Sequence, residues 1–178
     1  MAKVIAVLGD GGSGKTTLIT KLTENHPDRF RKVVTCTSRP IRPGEVEGQD
    51  YNFHPDNYFI DNPQLVLVKK AEGGHHYGTR LADLDARSHH LLITLRFVGL
   101  RRLMELGLPN LVAIHINVTR ELKIQRMRER GDTAEMISGR LTFDDQDRGM
   151  ADWSAFEVIE LDASETLERK IAQVLGAC

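Results

Sequence analysis

The chain has 178 residues, 40% hydrophobic and 28% charged, with a formal net charge of −1; that suits one domain with a small lobe or lid and a core that needs no staples. Such balance excludes a protein that coats DNA or RNA through many Lys/Arg–phosphate contacts, but leaves room for a local cation cluster on a small phosphorylated ligand. Two cysteines, Cys36 and Cys178, form no metal-type spacing and point to a reducing compartment. With no secretory-type leader in MAKVIAVLG and no apolar run near ~20 residues, the expected location is the cytoplasm, with no membrane and no nucleic acid as partner.

In chain order, VIAVLG (4–9) reads as a buried strand, followed by a glycine loop and a helix from Lys15 to about Glu24. VVTCT (33–37) reads as a second strand and LVLVKKA (65–71) as a third, turning at Gly73-Gly74 into HHYGT. RLADLDARS (80–88) reads as helical and LLITL (91–95) as a strand. FVGLRRLMELG (97–107) is amphipathic and ends at Gly107. LVAIHINV (111–118) is a strand, with Thr119 the N-cap of RELKIQRMRERG. Residues 133–147 read as helical, FEVIELDA (156–163) as a last strand and ETLERKIAQVLG (165–176) as a last helix. Continuous apolar strands separated by helices predict an α/β fold with a parallel sheet covered on both faces. The strand-rich stretch from about 35 to 79, with its hairpin, breaks that rhythm and reads as a small inserted lobe.

G-D-G-G-S-G-K-T (9–16) matches G-x-x-x-x-G-K-[ST] between a strand and a helix, the context a phosphate loop requires. Gly9, Gly11, Gly12 and Gly14, with Ser13, let backbone N–H groups converge on phosphate oxygens. The helix start at Lys15, Thr16 and Thr17 adds its partial positive charge. Lys15 would reach the β- and γ-phosphates and the Thr16 hydroxyl would ligate Mg²⁺. The pattern indicates a nucleoside triphosphate site on a P-loop NTPase-type three-layer core, and Asp10 within it is expected to face solvent.

The second substrate is announced by TSRPIRPGEVEGQDYNF (37–53), where Pro40 and Pro43 stiffen a loop carrying Arg39 and Arg42. Two such arginines can form forked, charge-assisted bonds to one phosphate at small entropic cost, and Tyr51 and Tyr77 can each add an O–H donor. Residues 33–53 closely resemble the acceptor-binding segment of guanylate kinases. Y-G-T (77–79) resembles a second piece of that lobe, and RMRERG (126–131) with ISGRL (137–141) resembles the family's lid. The resemblance implies a core at about 1–34, 80–125 and 150–178, an acceptor lobe at about 35–79 and a lid at about 126–149. It implies ATP as donor, GMP or dGMP as acceptor and a chain that works as monomer or homodimer. By the same resemblance Arg39, Arg42, Tyr51, Tyr77 and Thr79 hold the acceptor and Thr35 meets its base. Arg130 and Arg140 would close over the transferring phosphoryl group, with Arg126 as a helper at the donor phosphates; Arg128 belongs to the same charge run.

The chain departs from the family at the base. Aligned on Y-G-T, the family's guanine-reading Glu falls on Val68, with Glu72 nearby, and Thr94 and Arg96 occupy the acidic positions of its D-x-D. Valine and arginine cannot accept from guanine N1–H and N2–H, which costs discrimination. Thr94 also removes a carboxylate that would organise Mg²⁺. A kinase for a different or modified nucleoside monophosphate therefore stays open. So does a non-catalytic module of this family that binds phosphoproteins, although Lys15 and Thr16 are those of a working loop. His75-His76 and His89-His90 read as surface or structural residues, since neighbours on a strand face opposite ways. Cys36 reads as a small buried hydrophobe, and Trp153 and Phe156 as packing for the last strand.

Overall fold

A computed structural model describes residues 1–60, 62–70, 74–95, 97–108, 110–129, 131–148 and 157–178. Glu72, Arg96, Arg130, Trp153 and Phe156 lie outside the described residues. In chain order the elements are β1 (Val4–Leu8), α1 (Lys15–Asn25), β2 (Phe30–Lys32), β3 (Cys36–Thr37), β4 (Asn52–Phe53), β5 (Leu65–Lys70), β6 (His76–Arg80), β7 (His90–Thr94), α2 (Phe97–Glu105), β8 (Leu111–Asn117), α3 (Arg120–Glu129), α4 (Ala134–Arg148), β9 (Val158–Asp162) and α5 (Leu167–Ala177). They fall into two units, Met1–Lys32 with Ser88–Cys178, and Val33–Arg87.

The larger unit holds a parallel sheet in the order β2-β7-β1-β8-β9. All five residues of β1 are buried, as a central strand covered on both faces demands. Ile5, Val7, Leu92, Ile114 and Leu161 of the strands meet Leu18 and Leu22 of α1 and Val174 of α5 in one apolar cluster. Thr166 caps α5 by accepting from the Arg169 N–H, and Thr119 Oγ1 accepts from Leu122 N–H at the start of α3, as its N-cap position predicts. Gly107 ends the α2 segment at φ +62, the left-handed conformation that glycine supplies without strain. Among the described residues no helix is long and apolar enough to cross a membrane.

Two expectations change. Of the strand expected over 33–37 only Cys36–Thr37 is extended into a ladder, and it belongs to the smaller unit. The edge strand beside β7 is instead Phe30–Lys32, whose Phe30 is buried while Arg31 is exposed. The helix expected over 80–88 is one 3₁₀ turn, Leu81–Leu84. Leu81 N–H is taken by Gln64 C=O and Arg80 Nε by Asp83, and Asp85 is already extended (φ −81°, ψ 95°), so no further turn forms.

The smaller unit is a four-stranded sheet in the order β4-β3-β6-β5, with β5 and β6 the antiparallel hairpin. Its centre is small: Cys36, Phe59 and Leu65, with Tyr58 against them. Strand β5 is irregular between Val66 and Lys69, where Leu67 adopts φ +57.

Candidate active site

In the larger unit β1 delivers the chain into the glycine loop and α1 leaves it. Gly9 sits at φ +140, and a β-carbon there would come 2.7 Å from Ile116 C=O and 2.8 Å from Ser13 Oγ, so only glycine fits. Gly12 and Gly14 are also left-handed, at φ +80 and +98. Gly14 is the N-cap of α1, no side chain caps that end, and its first turn holds no acidic residue. Amides of a helix end in that condition suit an anion. Lys15 Nζ donates to Gly9 C=O (2.7 Å) and Asp10 C=O (2.8 Å), bracing the loop, while Ser13 is buried and Thr16 and Thr17 are exposed on the first turn.

Asp10 does not face solvent. It is 5% exposed, and its Oδ2 accepts from Lys123 Nζ of α3 at 3.0 Å. The same ammonium donates to Asp144 Oδ2 of α4 at 2.8 Å, and that oxygen also lies 3.4 Å from Gly11 N. The pairing follows from burial: a carboxylate removed from water needs a cation or donors, and Lys123, among the buried residues of α3, supplies one. Neither Lys123 nor Asp144 was singled out by motif. The available signal was the acidic residue inside a loop built for anions, which requires a cation from elsewhere.

Two of the arginines singled out between residues 126 and 141 reach this loop. Arg126 donates from NH1 to Gly12 C=O (3.0 Å) and from NH2 to Ala163 C=O (2.9 Å). Arg140 lies along Gly11, so that a β-carbon on Gly11 would come 2.8 Å from Arg140 Cδ. Arg128 is exposed. Thr94 ends β7, exposed, in register with Val7 of β1, next to the strand that feeds the loop. Among the described residues no cluster of three or more His, Cys, Asp or Glu could cage a metal. The exposed hydroxyl of Thr16 fits Mg²⁺ held mainly by phosphates and water, the usual binding style of that ion.

In the smaller unit Arg39 is 8% exposed and rigidly seated. Its NH1 and NH2 fork onto Glu45 Oε2 (2.9 Å) and Oε1 (2.7 Å), and NH1 also donates to Pro40 C=O (2.7 Å). The guanidinium lies 5.2 Å from the Tyr51 ring centre and 5.7 Å from that of Phe53, and the Tyr51 and Tyr77 rings meet edge-on at 6.0 Å. Glu45 raises the Arg39 pKa, against the effect of burial, with Tyr77 adding to the rise. In return Arg39, then the Arg42 N–H, pull the Glu45 carboxyl down. Burial foremost raises the Tyr51 phenol, so at neutral pH it stays an O–H donor.

Glu45 is the residue motif reading passed over. It follows Gly44 (φ +86), its N–H returns to Arg42 C=O, and its carboxylate accepts from Arg42 N–H at 2.8 Å. The glycine turn after R-P was the signal, because it folds the next side chain back on the arginines. The Arg42 side chain is exposed; Thr35 is half-buried, with its C=O bonded to Asn52 N–H; Thr79 is buried in β6 opposite Val66. Val68 sits in the β5 irregularity, 42% exposed. Cys36 is buried as expected, and both cysteines are free thiols. His76 is a structural residue, paired with Asp56 and stacked on Phe59, and His90 accepts from Lys3 N–H.

A protein-family model described as guanylate kinase matches residues 1–175. The guanylate kinase of Nostoc sp. (strain PCC 7120 / SAG 25.82 / UTEX 2576) is 31% identical over 173 residues, spanning 93% of this chain and 86% of that one. The guanylate kinase of Chlamydia felis (strain Fe/C-56) is 38% identical over 85 residues, a match of 47% of this chain and 42% of that one. The crystal structure of guanylate kinase from Anaplasma phagocytophilum shares the fold, with a TM-score of 0.68 and 24% identity over 99% of this chain and 84% of that one. The loop, the arginine segment and the whole-length match agree: the chain belongs to the guanylate kinase family of P-loop nucleoside monophosphate kinases.

Proposed function

We propose that the chain transfers the γ-phosphoryl group of ATP to GMP or dGMP, giving the nucleoside diphosphate and ADP. The observation that carries the reading is the seated guanidinium of Arg39, oriented by Glu45 and lying against the Tyr51 and Phe53 rings within a segment of the family's type. A phosphate recognised there meets a group whose rotamers are already fixed, so little entropy is lost on binding. Arg42, exposed and three residues on, would add the second fork, and Thr35 and Thr79 complete the acceptor side.

The acceptor is already an oxyanion, so no general base is needed; transfer rests on in-line positioning and on neutralising the equatorial oxygens. Gly9 to Thr17 would hold the donor phosphates, with Lys15 reaching the transferred group and Arg126 holding Gly12. Arg130 and Arg140, on the segment we assign as the lid (126–149), would supply further cations, and residues 35–79 would form the acceptor lobe. Thr16 would hold Mg²⁺, which supplies charge neutralisation on the triphosphate when bound.

A second reading, a nucleoside monophosphate with another or a modified base, is favoured by Val68 and Thr94 at positions where the family carries carboxylates. The test is coupled ADP release with Mg-ATP over GMP, dGMP, AMP, dAMP, CMP, UMP and dTMP, with Lys15→Ala as control. Turnover confined to GMP and dGMP is the expected outcome. Turnover on another base with silence on both would replace guanine, and ATP binding without turnover on any acceptor would favour a binding module.

A further inference from the structure

Asp10 stands inside a loop whose amides face polyphosphate, where an unmatched carboxylate would repel the ligand. Lys123 Nζ sits between Asp10 and Asp144 at 3.0 and 2.8 Å, and the three side chains are 3–5% exposed. At this depth screening by salt is weak and the mutual influence of charges is large. The network also binds the loop to α3 and α4. Asp144 approaches Gly11 N–H from α4, Lys123 comes from α3, Arg126 of α3 holds Gly12 C=O, and Arg140 of α4 lies along Gly11.

We propose that Lys123 is a positioning residue for the donor nucleotide. It holds the Asp10 and Asp144 carboxylates on its own ammonium, so that a phosphate loop bearing an aspartate still accepts an anionic triphosphate. The inference rests on the reading of this loop as the ATP site. Its content beyond a structural tether is electrostatic: the carboxylate at position 10 weighs against an anionic triphosphate, and the Lys123 ammonium beside it offsets that effect.

The test is the dissociation constant of Mg-ATP by titration calorimetry, well below the melting temperature of each protein. The variants are Lys123→Met, Asp10→Asn and the double variant. Lys123→Met keeps the stem and removes the charge, and should weaken ATP binding by roughly tenfold or more, the scale of a like-charge juxtaposition. Asp10→Asn should tighten binding by about threefold, and the double variant should return to within about threefold of the wild type. Folded Lys123→Met with unchanged ATP affinity would overturn the proposal, as would Asp10→Asn with unchanged or weaker affinity. The second arm stands even where Lys123→Met does not fold. Wild-type protein that binds no ATP would overturn the ATP reading and this inference with it, whereas wild-type binding with variants alike would overturn the inference alone.

Discussion

Single residues decide what this site can do, and Gly11 is the sharpest case. Unlike Gly9, Gly12 and Gly14 it has no left-handed φ, so alanine is compatible with its backbone. What alanine lacks is space, because its β-carbon would fall 2.8 Å from Arg140 Cδ and 3.4 Å from Arg140 NH1. The arginine is exposed and flexible, so it would swing aside at little structural cost. Gly11→Ala should therefore melt within a few degrees of the wild type and bind ATP with similar affinity. On the reading of Arg140 as a cation for the transferring group, its kcat should fall roughly tenfold to hundredfold; steady-state kinetics beside a melting curve checks the split. This distinction was not legible in the motif, where loop glycines look alike. Asp10 was misread for a related reason: residues 10, 123 and 144 are distant in sequence, and only the packing of α3 and α4 on the loop brings them together. Arg39 drew notice through its own R-P-I-R-P segment, whereas Glu45, six residues on and forked onto it, was overlooked although it is local.

Elements show the same division between local and distant causes. Strands β1, β7 and β8 were legible because a strand covered on both faces must be apolar throughout. The edge strand Phe30–Lys32 was not, since one buried phenylalanine and two cations carry no such pattern. In β5 the hairpin was legible but its irregularity was not. Leu67 at φ +57 and Val68 together oppose Gly78, between the Val66↔Thr79 and Lys69↔Tyr77 pairs. A bulge re-aims side chains, and here it leaves Val68 42% exposed at the position aligned with the family's base-reading carboxylate. Because Val68 is exposed, Val68→Glu should cost little stability. On the guanine reading it restores an acceptor for N1–H and N2–H, so kcat/KM for GMP should rise about tenfold relative to other nucleotides. Kinetics of the variant over the same nucleotide panel measures the ratio, and a preference left unchanged would detach Val68 from base recognition.

At the scale of the whole molecule the α/β architecture followed from alternating apolar strands and helices, while its pH response depends on contacts that form only on folding. His90 accepts from Lys3 N–H at the start of β7, and burial, then Arg29 and Lys3, lower its pKa from the ordinary 6.5. A lowered pKa means the unfolded chain binds more protons, so the stability His90 contributes is present above pH 6.5 and lost as pH falls through the folded value. A second loss lies lower, because Glu45, bonded by Arg39, Asp56, bonded by Ser38 and His76, and Asp162, bonded by Ser164, are each held below their ordinary carboxylate values. On the alkaline side burial raises Cys36 and Cys178, whose contribution persists below the ordinary thiol value of 9.0 and is lost as pH rises through the folded values. The melting temperature should thus be highest between about pH 7 and 8.5, fall first below pH 6.5 and again through the carboxylate range. His90→Gln keeps a carbonyl acceptor for Lys3 N–H but cannot titrate. It should flatten the decline that begins below pH 6.5 while leaving the carboxylate decline in place, and a variant whose melting curve still tracks the wild type through that first decline would remove His90 as its cause.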